Sequence, residues 1–168
     1  MIPMIILSAF PAALIIAALN DIYEFKIPNW ISITLIGAYF AAGLGLGADV
    51  SVMVEGAILG CAALAAGFAL FALRIVGGGD AKLLAACAPW IGLSALSAFL
   101  VYVALAGAAL ALALLAFRRM PAAPFYEQAP WLMRLHQRPK DIPYGVAIAA
   151  GGLLSFPQTP LFQLAFGG

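Results

Sequence analysis

The sequence predicts an all-α, polytopic membrane helix bundle of about six transmembrane helices, with both termini outside. Three observations carry that reading. Of 168 residues, 65% are hydrophobic and only 9% are charged, against about 25% charged in a soluble domain, so the chain cannot cover a water-facing surface. Its apolar runs are long and continuous, whereas barrel strands alternate over about 10 residues. All eight Lys and Arg residues fall on one side of the membrane in a single threading of the chain, as the positive-inside rule requires. The net charge of +1 gives no pointer to nucleic acid.

The first span is expected over 2–20, a length of roughly 28 Å at 1.5 Å per residue, enough to cross a hydrocarbon core. Pro3 falls in its first turn, where a missing N–H costs little. The run has no basic region before it, so it reads as a retained span and not as a removable signal peptide. The segment 20–26 is expected to leave the membrane. Ile27-Pro28 marks a boundary, because the residue before proline disfavours helix, and Asn29 is the expected N-cap of the next helix. The second span covers 30–46, with Trp30 as an interfacial anchor. The third covers 52–75 and carries Gly56 and Gly60 at a spacing that permits close helix packing.

The apolar stretch 83–117 is too long for one crossing of about 20 residues. Pro89, Gly92 and Ser94 divide it into a short span over 81–91 and a longer one over 93–117. The segment 118–141 is the long polar one; Trp131, Leu132 and Leu135 predict a short interfacial helix within it. The last span covers 142–166, with interruptions at Gly151-Gly152 and Pro157. If the first span enters from outside, then Lys26, Arg74, Lys82 and the bases Arg118, Arg119, Arg134, Arg138 and Lys140 all lie inside. A single crossing over 81–117 would send the last five to the other face. The whole of 1–168 reads as one integral-membrane domain. Its two cysteines, Cys61 and Cys87, sit in apolar runs without a CxxC pair, so they read as small hydrophobes and not as metal ligands.

This threading puts Asp21 and Asp80 on the same face. One ends the first span; the other opens the fourth, directly after Gly77, Gly78 and Gly79. Two carboxylates held close cannot both ionise readily and share a proton. That state supplies a base to activate water and an acid for a leaving amine, the requirements of peptide hydrolysis. The glycines leave room for a substrate backbone, and a helix N-terminus favours an anion at Asp80. Each aspartate also has a plain structural explanation, Asp80 as an N-cap and Asp21 as an interfacial residue, and composition alone does not choose.

Val76-Gly77-Gly78-Gly79-Asp80-Ala81-Lys82-Leu83 resembles the GxGD signature of the type IV prepilin peptidases. The segment from Asp21 to Ile27-Pro28-Asn29 resembles that family's first aspartate motif, and Ile142-Pro143-Tyr144-Gly145 resembles a third element at the start of the last helix. The resemblance runs in order along nearly the whole chain. It implies a bacterial inner-membrane aspartic endopeptidase, free of metal and cofactor, that cuts a short basic leader from prepilin or pseudopilin precursors at the cytoplasmic face. It makes Asp21 and Asp80 the catalytic pair. Gly77, Gly78, Gly79, Lys82, Pro28, Asn29, Pro143 and Gly145 would support the site or bind substrate.

Bifunctional members of that family carry an insertion with zinc-binding cysteines and an N-methylation activity between their first two helices. Here that loop is only 20–29, so no methyltransferase activity is expected, and the size is similar to the peptidases of tight-adherence (Flp-type) pilus systems. Presenilin-like proteases pair GxGD with Tyr-Asp; here Asn20 precedes Asp21.

Lys82 reads equally as a partner of the dyad or as a snorkelling lysine. Glu24 and Asp141 read as solvated or capping residues on the same face, His136 as solvated, Glu55 as complementing its own helix dipole, and Asp49 as a turn residue. A second class of function uses the same acids differently: a small transporter or a pilus-assembly scaffold with Asp21 and Asp80 as an ion or proton site. Such sites usually lie near the midplane within internal repeats, and this sequence shows neither feature.

Overall fold

The computed structural model describes residues 2–121, 129–137 and 141–167. Among these residues every regular element is a helix. Arg138 and Lys140, two of the bases assigned to the inner face, lie outside them, as do Pro124 and Pro139.

The first apolar run forms α1 (Ile2–Leu7) and α2 (Ala9–Glu24), joined at Ser8. No residue between Asn20 and Glu24 breaks a helix, so α2 continues past the expected end at 20 and holds Asp21 in its last turn. Phe25 ends it in the left-handed conformation, φ 53°, with its N–H on the Asp21 carbonyl. α3 (Asn29–Leu46) starts after Pro28. Pro28 is the capping residue and Asn29 the first helical one, so the expected side-chain cap by Asn29 is not made. Gly47 ends α3 at φ 68°, a conformation glycine reaches without strain. α4 (Val50–Ala72) then runs back.

α4 turns its glycines inward. A Cβ on Gly56 would strike the Tyr39 hydroxyl, one on Gly60 would lie 3.0 Å from Pro89 Cγ, and one on Gly67 would lie 3.0 Å from the Ala81 Cβ. The small-residue spacing therefore serves close packing of α4 on α3 and α5. The opposite face of α4, with Ile58 and Phe68, is exposed.

α5 (Gly78–Arg119) is 42 residues long and carries one non-helical residue, Gly92, at φ 64° and ψ 172°. A straight helix of that length would reach about 63 Å. Instead the chain folds back at Gly92. The guanidinium of Arg118 donates to the Asp141 carbonyl at 2.6 Å, and Asp141 lines the same cavity as Asp80, so both ends of α5 lie at one end of the bundle. Pro89 does not break the helix; the left-handed glycine three residues later does. At the break the Glu55 carboxylate accepts the Leu93 N–H at 3.2 Å. Glu55 therefore caps the outgoing arm, a role beyond complementing its own helix. The first arm, 78–91, is short because it is central. Leu83, Trp90 and Ile91 are fully buried, so other helices surround it. Trp90 packs on Phe10 and Tyr39 and donates its indole N–H to the Leu35 carbonyl at 2.9 Å.

α6 (Pro130–Gln137) is a short helix where one was expected from Trp131, Leu132 and Leu135: Leu135 is buried, and Trp131 meets Tyr23 edge-on. His136 is not simply solvated. Its ring nitrogen lies 2.9 Å from the Met120 carbonyl and its ring meets Phe117 edge-on. α7 (Tyr144–Ser155) continues through Gly151 and Gly152, which were expected to interrupt it; both make close approaches instead, Gly151 to Val103 and Gly152 to Leu14. The break comes at a 3-10 turn, Phe156–Gln158, before α8 (Pro160–Phe166).

Four helices, Met4–Glu24, Asn29–Leu46, Val50–Ala72 and Gly78–Arg119, are long and apolar enough to cross a membrane, and the pair from Tyr144 to Phe166, bent by 41°, makes a fifth if it is one span. One buried apolar cluster joins α1, α2, α3, α5, α7 and α8.

Candidate active site

The ends of α2 and α4, the starts of α3, α5 and α7, and the segment before α7 surround an open polar cavity of about 1050 Å³. Both sequence-predicted carboxylates line it. Asp21 enters from the last turn of α2 and is only 6% exposed. Asp80 enters from the first turn of α5 and is half-buried.

Asp21 is held by a contact 124 residues away in sequence. The Gly145 N–H, in the first turn of α7, donates to Asp21 Oδ2 at 2.6 Å. Gly145 has to be glycine here: a Cβ would lie 2.8 Å from Asp21 Oδ2 and 2.9 Å from Ile27 Cδ1. Helix N-termini offer free N–H groups and a positive dipole end, so the start of α7 suits a carboxylate. Pro143, buried beside it, is the residue from which α7 begins.

The three glycines do not form an open loop. Gly77 caps α5, while Gly78 and Gly79 are already helical. A Cβ on Gly77 would lie 2.9 Å from Asp80 Oδ2, one on Gly78 3.3 Å from the Phe71 ring, and one on Gly79 3.3 Å from Ile27 Cβ. All three line the cavity, but they also let α5 start tightly against α4 and the 25–28 turn. Ile27 is thus wedged between the starts of α5 and α7 and spaces the two aspartate-bearing regions. It was missed as a site residue because its importance lies in contacts with residues far along the chain. Tyr144 also lines the cavity and reaches the Gly107 position with its ring.

Lys82 and Asn29 pair: Lys82 Nζ donates to Asn29 Oδ1 at 3.0 Å. Both line the cavity with Pro28, Glu24 and Asp141. Asp49 does not. The Asp141 carbonyl is tied by Arg118, which also donates to the Leu135 carbonyl at 2.8 Å, so α6 and the 141–143 segment are strapped to the end of α5. Among the described residues no group of three or more His, Cys, Asp or Glu side chains is gathered that could hold a metal ion.

A buried and a half-buried carboxylate on separate helices, facing one water-accessible cavity at the end of an apolar bundle, are the groups that acid–base chemistry on a bound water requires. No curated protein and no solved structure matches the chain. A family model does: it describes the type IV leader peptidase family and matches residues 8–112, a range that holds both aspartates and ends before Gly145. More than half the chain fits that model, and with its apolar helices the chain is a multi-pass membrane protein that belongs to the type IV leader peptidase family.

Proposed function

We propose that the protein is an aspartic endopeptidase of the bacterial inner membrane that removes the leader from type IV, Flp-like prepilins, using Asp21 and Asp80 as its dyad at the cytoplasmic face. The observation that carries this reading is the convergence of the two carboxylates on one cavity, with Asp21 seated on the Gly145 N–H. The positive-inside pattern supports the cytoplasmic placement of that cavity, since Lys26 and Lys82 line it. The fold-back at Gly92 supports a count of six crossings with both termini outside.

In this mechanism the dyad holds one proton between two carboxyl groups. The ionised carboxylate takes a proton from a water whose oxygen attacks the scissile carbonyl carbon. The protonated partner gives its proton to the leaving nitrogen as the C–N bond breaks, and the dyad is left with the single proton it started with. Gly145 fixes the direction of one carboxylate; the start of α5 fixes the other.

The test is neutral replacement. Asp21→Asn and Asp80→Asn should each abolish leader removal from a co-expressed pilin-like precursor while the protein still reaches the membrane. Asp49→Asn, away from the cavity, should cleave normally. Mature pilin at ordinary levels with either dyad variant would refute the assignment, and purified protein that cuts no bond in a synthetic precursor would favour an ion-site or scaffold role.

A further inference from the structure

A second, apolar groove of about 430 Å³ leaves the polar cavity and runs down the outside of the bundle between α3 and α4, floored by the first arm of α5. We infer that this groove receives the apolar helix that follows the cleaved bond in the substrate, so that the precursor enters sideways from the membrane. The inference rests on the peptidase reading above and adds where the uncleaved part of the substrate lies.

Three features point to a helix as the occupant. First, the groove is continuous with the candidate active site: Asn29 and Lys82 line both. A chain lying in it therefore arrives at Asp80 without crossing the bundle. Second, its walls repeat at helical spacing. Ser32, Ile33, Ile36 and Phe40 form one stripe of α3, and Ala57, Gly60, Cys61 and Leu64 form the facing stripe of α4. Small residues at the floor let another helix approach closely, and the stripe from Asn29 to Phe40 is about 16 Å long, three turns of helix.

The third feature is Ser32. It is 8% exposed, and among the described residues its hydroxyl is the one buried side-chain polar atom with no hydrogen-bond partner. A buried unpaired hydroxyl is unfavourable. It sits one turn below Asn29, at the polar end of the groove. The oxygen itself is enclosed, so an N–H in the groove reaches it only if the Ser32 side chain rotates outward; a helix that begins just after a cleaved bond presents such unpaired N–H groups in its first turn. A lipid acyl chain offers Ser32 nothing.

The protein supplies its own probe, because Cys61 is exposed in the groove while Cys87, the other cysteine, is buried. Gly60 packs on Pro89, so Cys61 lies about 12 Å down the bundle from Asp80, the rise of about eight helical residues. The probe is a synthetic precursor with a short basic leader and an apolar helix of about 20 residues, reconstituted with the protein in phospholipid vesicles. A single cysteine is moved along its helix and disulfide formation is driven by copper phenanthroline. Crosslinking to Cys61 is expected about seven to nine residues beyond the cleaved bond, recurring every three to four residues, and absent in Cys61→Ser. Filling the groove with Cys61→Trp should lower cleavage at least tenfold, chiefly through KM, while Ile58→Trp on the outer face of α4 leaves it unchanged. If the peptide is cleaved but crosslinks nowhere, or crosslinks evenly along its length as a groove filled by acyl chains would give, the groove assignment is overturned and the peptidase reading stands. Cys61→Trp that cleaves at the wild-type rate also overturns it. Periodic crosslinking without cleavage would uphold the groove and overturn the peptidase reading.

Discussion

Gly145→Ala isolates the role of one contact in the site without removing either carboxylate. The added methyl carbon would lie 2.8 Å from Asp21 Oδ2, 2.9 Å from Ile27 Cδ1 and 3.2 Å from Asp21 Cβ, where ordinary contacts begin at 3.4 Å. Asp21 has to retreat by about half an ångström or more, while Ile27, whose Cβ lies near Gly79, has to turn its Cδ1 end away. Overpacking of a buried site costs about 1–3 kcal/mol. The retreat also stretches the Gly145 N–H contact from 2.6 Å, so the carboxylate loses its seat as well as its position. Misplacement of a reacting group by about 1 Å can cost about 10²-fold in rate; a shift of half that size should lower kcat roughly tenfold or more, with KM little changed. The assay is the initial rate of leader removal by purified protein in vesicles, with thermal unfolding to confirm that the variant is folded. Gly37→Ala is the control, since a Cβ there meets nothing within 4 Å. A Gly145→Ala rate within twofold of wild type would show that the Asp21 position does not depend on α7, and the geometric argument would fail.

The break in α5 supports two stability predictions. Gly92→Ala combines a φ of 64° and ψ of 172°, a region open to glycine alone, with a Cβ 2.6 Å from Pro160 Cγ, so about 1–3 kcal/mol of backbone strain adds to about 1–3 kcal/mol of overpacking; the thermal midpoint in detergent should fall by several degrees, and an unchanged midpoint would contradict the fold-back. Glu55→Ala removes the acceptor of the Leu93 N–H and should cost about 0.5–2 kcal/mol, as lost helix caps do, while cleavage at low temperature stays near wild type because the break lies at the end of the bundle away from the cavity.

Much of this arrangement could be read from local sequence. Three glycines followed by Asp80 and Lys82 between two apolar runs mark a helix start, and α5 does begin there, although Gly78 and Gly79 belong to the helix and not to a loop. The length of 83–117 demanded a break, and the expected spans 81–91 and 93–117 put it at residue 92, where Gly92 makes it. The chain breaks at Gly92 because a left-handed glycine reverses direction, whereas Pro89 fits against Gly56 and Gly60. What could not be read was every contact between distant segments. Asn29 looked like a cap and is instead the partner of Lys82, 53 residues away. Glu55 looked like a dipole partner of its own helix and caps an arm 38 residues on. Gly151 and Gly152 looked like a helix break, since glycine weakens helices in water; in an apolar bundle the same residues buy close packing. Gly145 carried no signal of its own beyond the resemblance of its motif.

Those last glycines bear on the site more directly than their distance suggests. A Cβ on Gly151 would strike Val103 Cγ2 and one on Gly152 would lie 2.6 Å from Leu14 Cδ1, so the two positions set how deeply α7 sinks against α5 and α2. Both lie on the helix that carries Gly145, six and seven residues further on, about 10 Å along its axis. A helix of twelve residues transmits such a displacement as a rod, because packed interiors move as units and do not deform continuously. The Gly145 N–H therefore reaches Asp21 only if α7 is seated at its far end, and the start of α7 depends on packing in the middle of the bundle. Asp80 has no such lever: its arm is packed directly against α4 at Gly67 and Gly60 and buries Leu83, Trp90 and Ile91 fully. The two carboxylates are thus held with different stiffness, and substitutions that unseat α7 should act on cleavage through Asp21 alone.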